Sequence, residues 1–476
     1  MKKKGLLIAI IIILVLLVLA GGTFAYLYFG TDLLKTDKQL FAKYLMQLGD
    51  EEKGLFPKAL NEYFNKKETT TYQNNGELSS NISVAKSNNN TQITNLNSEY
   101  FDIMNNSKIQ FQGSVDNANL KREENITLSY PDSVSLPFKY KNEGDIYAIQ
   151  ADILSPSYIG IENNNLKELA QKLGTTDVSK IPDKIEANPI ESLNFTQEEL
   201  KHIRENYIMP IYNNLADEKF TTTENSDGTK THILTLTYAE ALNIYIQTLE
   251  TLKNDTMMLN KIISINAEIS GDNNLTVEKL SQTIQEAIDD LQNTNTSSSS
   301  THDIIININQ KNGTTNNISV VVDGLTFVFT KSFDNENLSY NFNILGDENQ
   351  SVGIQMSYTN LNTDNVQEYV SFSVNNLDGV NFSYTYNNSV TFGAVDIQPF
   401  NNNVAILNNY SAEEIQALLL QCGTIISQTN TRQMAQIGFP ETFVNPIVMS
   451  YAMPFSYIFI VNSVSDAIDE SMDDMA

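Results

Sequence analysis

Asp323-Gly324-Leu325-Thr326-Phe327-Val328-Phe329 carries the fold reading: a two-residue Asp-Gly turn followed by a run with apolar residues at every second position. Asp-Gly between alternating runs is a strong short-range hairpin signal, because a tight hairpin turn needs positive φ that Gly adopts freely. Asp378-Gly379 leading into the run 380–386, and Asn387-Asn388 after it, read the same way. Residues 302–398 therefore read as a meander of short antiparallel strands, and they hold only two cations, Lys311 and Lys331.

A polar segment, Asn293-Thr294-Asn295-Thr296 with serines through Ser300, precedes this meander. It reads either as a linker between two domains or as a loop inside one continuous sheet. Upstream, residues 69–161 also read as β. Ile109-Gln110-Phe111, Ile126-Thr127-Leu128-Ser129-Tyr130 and Val134-Ser135-Leu136 alternate apolar with polar, as half-buried antiparallel strands do. Between the β stretches, residues 163–293 read mainly as helix, residues 37–67 as one or two short helices with Leu40, Phe41, Tyr44, Leu45 and Leu48 at helical spacing, and roughly the last 80 residues as helix.

Helix starts are marked by capping boxes, in which a Ser or Thr side chain and a Glu three residues on satisfy each other's free amides. Thr196-Gln197-Glu198-Glu199 precedes Leu200, Ile203 and Tyr207; Thr237-Tyr238-Ala239-Glu240 precedes Leu242, Tyr245, Leu249 and Leu252. Ser411-Ala412-Glu413-Glu414 precedes a stripe of Ile415, Leu418, Leu419, Cys422, Ile425 and Ile426. Pro210 is expected to kink or end the first of these helices, and 219–237 reads as a hairpin with Asp227-Gly228 as a type I′ turn. The expected cover for the sheets' apolar faces is the helices 196–216, 238–253 and 411–429.

The N-terminus sets the expected location. Lys2, Lys3 and Lys4 precede an uncharged run whose core, 6–29, spans about 36 Å as a helix, enough for a hydrocarbon layer of roughly 30 Å. The lysines predict a cytoplasmic N-terminus and an exported remainder, with Tyr26, Tyr28 and Phe29 at an interfacial belt. A cleavable signal peptide is the competing reading, with Thr23-Phe24-Ala25 as its site, but the apolar run is longer than such segments usually are. The segment 443–464 is also apolar, yet Pro446 and Pro454 interrupt it; a buried C-terminal helix from Pro454 is expected, passing into the acidic tail Asp466, Asp469, Glu470, Asp473 and Asp474.

A net charge of −27 and a pI near 4.4 exclude binding to a nucleic-acid backbone or to anionic lipid head groups through a basic patch. One Cys excludes a disulfide framework, and Cys422 on an apolar stripe reads as a buried thiol. Ser83-Val84-Ala85-Lys86 matches a Ser-x-x-Lys pattern without its usual companion motifs. His202 lies one helical turn from Glu198 and from Glu205, so a helical metal face is one reading and pairing of Arg204 with those glutamates is the other; His232 and His302 lie in strand-like stretches without a visible partner. Asp334-Asn335-Glu336-Asn337 and Gly346-Asp347-Glu348-Asn349 are oxygen-rich turns lacking the spacing of a calcium loop. No catalytic, cofactor or metal residue is assigned, and no cofactor is expected.

The stretch Tyr28-Phe29-Gly30-Thr31-Asp32-Leu33-Leu34, with Gln39-Leu40-Phe41, Leu234-Thr235-Leu236-Thr237 and Leu249-Glu250-Thr251-Leu252-Lys253-Asn254-Asp255, resembles single-pass, membrane-anchored exported proteins of unknown function from clostridia-like bacteria. That resemblance brings no active site. The succession of strands, helices and strands is also remotely similar to the curved sheets of lipoprotein carriers.

The expected fold class is α+β: an N-terminal transmembrane helix, then antiparallel, curved β-sheets packed against amphipathic helices. The expected divisions are 1–30 anchor, 31–292 extracytoplasmic α+β domain, 293–301 linker or loop, and 302–476 β-meander with C-terminal helices. The expected function is a non-enzymatic, membrane-tethered extracytoplasmic binding or envelope-structural protein, for which a lipid, peptide or envelope protein is the candidate ligand; the alternative is a cell-envelope hydrolase with a site not visible in the sequence.

Overall fold

The computed structural model describes residues 32, 35–49, 57–84, 104–129, 135–151, 155, 157–175, 178, 181–185, 196–270, 275–295, 303–322, 324–346, 349–377, 379–400, 404–418 and 421. The expected anchor 6–29, the segment 443–464 and the acidic tail lie outside the described residues. Among the described residues no helix is long and apolar enough to cross a membrane.

Among the described residues are helices and a large sheet, in which sixteen strands are hydrogen-bonded in the order β16-β6-β5-β4-β3-β2-β1-β15-β14-β13-β12-β11-β10-β9-β8-β7. Internal packing divides the chain into two units: residues 1–67, 80–97 and 186–390, and residues 68–79, 98–185 and 391–476.

In the first unit, α1 (Asp37–Met46) and α2 (Lys58–Thr69) come first. A helical stretch of α4 (Gln197–Ile203), a π turn (Arg204–Ile208) and α5 (Met209–Asn214) precedes the hairpin β7 (Phe220–Glu224) and β8 (Lys230–Leu236). The π turn ends at Ile208, two residues before Pro210, whose missing N–H cannot continue the regular ladder. Helices α6 (Tyr238–Lys253), α7 (Thr256–Ser270) and α8 (Val277–Asn295) follow. The meander then runs β9 (Ile304–Lys311), β10 (Thr314–Val322), β11 (Leu325–Phe333), β12 (Leu338–Leu345), β13 (Ser351–Thr359), β14 (Asn365–Leu377) and β15 (Val380–Phe392). Strands β8 and β9, before and after the polar 293–301 segment, pair along their length from Lys230↔Gln310 to Leu236↔Ile304.

Three capping boxes form as the sequence predicts. The Glu199, Glu240 and Glu414 amides donate to Thr196, Thr237 and Ser411 hydroxyls, and each Glu accepts in return. The helical cover of the sheet differs from expectation. Phe41, Tyr44, Leu45 and Leu48 of α1 and its following turn pack on Phe220, Leu234, Ile306, Ile308, Val320 and Phe327, forming the main core. Helix α6 touches that core only through its first turns, at Tyr238, Ala241, Ile244 and Tyr245. Leu242, Ile246 and Leu249 instead join Leu259 of α7 and Ile284 and Ile288 of α8 in a separate helical cluster. A helix with apolar residues around more than one face serves two neighbours, so its stripe alone does not name its partner.

Two turns also differ. At Asp227-Gly228 only Gly228 has positive φ, +79°, so the turn is not type I′. The Gly228 amide donates to Asn225 O and the Asn225 amide to Thr229 O, a type I turn closed by a left-handed Gly. The Asp227 carboxylate accepts the Thr229 amide and hydroxyl, bracing the turn from within. Asn387-Asn388 is no turn but lies inside β15, where buried Asn388 donates to Glu368 of the adjacent strand. A side-chain partner across the sheet outweighs the local turn preference.

In the second unit, β1 (Thr71–Val84) pairs β2 (Lys108–Asp116), then β3 (Lys121–Ser129), β4 (Ser135–Glu143), β5 (Ile146–Gln150) and β6 (Tyr158–Glu162), all antiparallel. Helix α3 (Leu166–Lys172) buries Leu166, Leu169 and Ala170. One pairing departs from the all-antiparallel expectation: β16 (Val404–Ile406) runs parallel to β6, Val404 opposite Tyr158. It reaches that edge from far along the chain rather than through a tight turn. Of the expected helix 411–429 only 411–418 and 421 are described, with Ile415 fully buried.

Candidate functional site

Strand register in the first unit aligns apolar side chains into cross-strand rows on one face. One row is Val320, Phe327, Ile344, Val352 and Val374; the next is Ile318, Phe329, Phe342, Ile354 and Phe372. Phe382 of β15 stands edge-to-face on Phe372, and Tyr384 on Phe382, extending the face by a further strand. Where α1 lies over β7–β11 the rows are closed: Val320 and Phe327 are almost fully buried. Across β12–β15 they open, with Ile354 38% and Tyr384 42% exposed, and Phe342, Ile344, Val352, Phe372 and Val374 half-buried. An uncharged, aromatic-rich sheet face left open to this degree marks a binding surface more often than scattered surface residues do.

Two helices border this strip, and each is held by polar contacts. For α1, the Tyr44 phenol donates to Asp32, and its ring stacks on His232 at 4.6 Å between centroids. Lys43 pairs with Asp32, and Gln47 donates to Gly313 O and accepts from the Thr315 amide. His232 is buried at 1% exposure, bonded to Thr222 Oγ1 through Nδ1. Burial pushes its imidazole down to about 4, the Lys230 and Lys43 charges in the same direction, with Asp32 and Asp37 opposing. For α2, Tyr63 and Lys67, one turn apart, both bond the Glu368 carboxylate of β14, which also accepts from Asn388. Burial alone would raise the Glu368 carboxyl; the Lys67 ammonium with the Tyr63 and Asn388 donors outweighs it and holds it below its ordinary range.

The histidine weighed in the sequence as a metal ligand has another role. His202 Nε2 meets Asp255 Oδ2 at 2.6 Å, and its Nδ1 meets Asn206 Nδ2 at 3.1 Å. Tyr207 donates to the same Asp255 oxygen, and Asp255 accepts the Met258 amide at the start of α7. Both ring nitrogens are thus engaged: Nε2 ties α4 to the start of α7, and Nδ1 meets Asn206 of the adjoining π turn. Glu198 and Glu205 are not brought to His202; Arg204 pairs with Glu205, and Glu199 pairs with Lys261. Asp255 and Tyr207 carried no sequence signal for this pairing, since the Asp lies 53 residues from the His.

The remaining candidates are dispersed. Ser83 lies in β1, while Ala85 and Lys86, like His302 and Cys422, lie outside the described residues. Asp334 turns its carboxylate onto its own loop, accepting the Asn337 amide at 2.8 Å. In the second oxygen-rich turn the Gly346 amide donates to Gln350 O, and Asp347 and Glu348 lie outside the described residues. Among the described residues no three His, Cys, Asp or Glu side chains are grouped to hold a metal ion. In the second unit, Arg122 and Asn74 converge on buried Glu124, against which Gly113 packs without space for a Cβ.

A family profile described as a family of unknown function, DUF6583, matches residues 1–415. No curated protein and no solved structure matches the chain.

Proposed function

We propose, from the premise that this chain belongs to the DUF6583 family of unknown function, that it is a membrane-tethered extracytoplasmic binding protein for an apolar chain. Its single supporting observation is the open strip of β12–β15, where Phe342, Ile354, Phe372, Phe382 and Tyr384 line one face without a charged side chain among them. Such a surface recognises methylene groups by area and shape, the chemistry of an acyl chain or an apolar peptide. The uncharged run 6–29 behind three lysines supports a tether and an outer-side position, next to the membrane that supplies such ligands.

Two measurements test this. The full chain extracted from membranes should carry co-purifying lipid or peptide in native mass spectrometry, and Ile354→Glu should strip it while the protein stays folded. Protease shaving of intact cells should remove the chain beyond residue 30. A chain that is never found with an apolar ligand, resists shaving until lysis, or shows robust turnover in a hydrolase panel overturns the proposal.

A further inference from the structure

Resting on the apolar-strip reading, we propose that the occupant is a single long acyl chain ending in a carboxylate, and that Lys331 selects its head. The register fixes the place of Lys331. It stands opposite Tyr340, in the row next to Ile318, Phe329, Phe342, Ile354 and Phe372, and alternation along β11 puts it on the same face. Its Nζ lies 5.6 Å over the Phe333 ring, which confirms the face, since Phe333 is two residues on. Of the two cations between 302 and 398, Lys311 is at the end of β9, so Lys331 is the one of these two at the strip's border, while Lys67 of α2 is engaged with Glu368.

Head size follows from burial. Lys331 is only 9% exposed and Tyr340 opposite it 5%, so a head group that reaches the ammonium has to be small, a carboxylate rather than a bulky phosphodiester. Burial keeps the Tyr340 phenol protonated and therefore a hydrogen-bond donor beside the ammonium. An ammonium carries three N–H donors, so it can take a carboxylate beside its present neighbours.

Tail length follows from the strand rise. From the Lys331 row to the last apolar row, through Ile344, Val352 and Val374, is about 13 Å. A membrane acyl chain occupies half of the roughly 30 Å hydrocarbon core, about 15 Å. The exposed side of Ile354 lies midway, over β13. At that same end, α2 sets Tyr63 and Phe64 against Tyr358 one row beyond Lys331, closing the strip at its polar end.

The test uses the full chain in neutral-lipid nanodiscs with cis-parinaric acid, a fluorescent C18 carboxylate, displaced by palmitate or by hexadecanol. Palmitate should displace it about tenfold better than hexadecanol, a difference of one decade in affinity. Lys331→Met should abolish that preference while hexadecanol still competes, and Lys331→Arg should restore it. Ile354→Glu should abolish binding of both. If Lys331→Met leaves the carboxylate preference intact, the head-group assignment fails and the apolar strip stands. If neither amphiphile binds to a chain with an unchanged melting temperature, this assignment and the apolar-chain reading fail together.

Discussion

Acidification from pH 7.5 to 5 should cost this protein about 2 kcal/mol through one imidazole. His232 is buried between the Tyr44 ring and Thr222, and its proton affinity is depressed from 6.5 to about 4. Between those values the unfolded chain binds a proton that the folded chain refuses, so stability rises with pH across the window and falls on acidification. At pH 5 an unfolded imidazole is almost fully protonated while the folded one is about a tenth protonated, which gives the 2 kcal/mol; the loss levels off near 3 kcal/mol below pH 4. Removing the titration with His232→Phe keeps a ring for Tyr44 to stack on. The variant loses the bond from Thr222, so it should be less stable at pH 7.5, yet its urea midpoint should fall less between pH 7.5 and 5 than that of the unaltered chain. Equal pH dependence in the two proteins would refute the assignment of the buried neutral imidazole.

Other substitutions probe the remaining joints. Lys67→Met leaves the Glu368 charge buried beside Tyr63 and Asn388 and should cost about 3 kcal/mol, most of it recovered in Lys67→Met with Glu368→Gln, read as urea midpoints. Gly113→Ala places a Cβ 2.3 Å from Glu123 O and 2.5 Å from Glu124 Cγ, so a loss of about 3 kcal/mol is expected in thermal melts. Thr237→Ala removes the cap of α6 and should cost about 1 kcal/mol, a loss that Thr237→Ser largely avoids.

What was legible in the sequence is what local chemistry decides. Thr196, Thr237 and Ser411 start helices because the cap and its Glu are three residues apart, with no tertiary partner needed. Gly324 and Gly379 carry positive φ between strands one turn apart, as Asp-Gly requires. Periodicity found the β stretches for the same reason. The partners of those elements were not legible. Tyr44 meets His232, Gln47 meets Thr315, and Tyr63 meets Glu368, each pair far apart in sequence and each residue ordinary in its own surroundings. Nothing local told α1 from α6 as the cover of the sheet, because both have an apolar stripe. Lys331 could be noted only as one of two cations in a long acidic stretch; its meaning came from the register that set it beside the strip.

The way α1 and α2 are fastened bears on why the strip stays open. A helix held only by apolar contact slides to bury the most area, since the hydrophobic effect has no direction. Here each bordering helix is held by directional partners instead: Gln47 on the β9–β10 turn and Tyr44 on Asp32 for α1, Tyr63 and Lys67 on the Glu368 carboxylate for α2. Moving α2 toward Ile354 would leave Glu368 as a buried charge without its cation, a cost of several kcal/mol. Covering Ile354 alone would return only about 1 kcal/mol or so. The polar joints therefore outweigh the pull to close, and neither of these two helices covers the apolar rows over β12–β15.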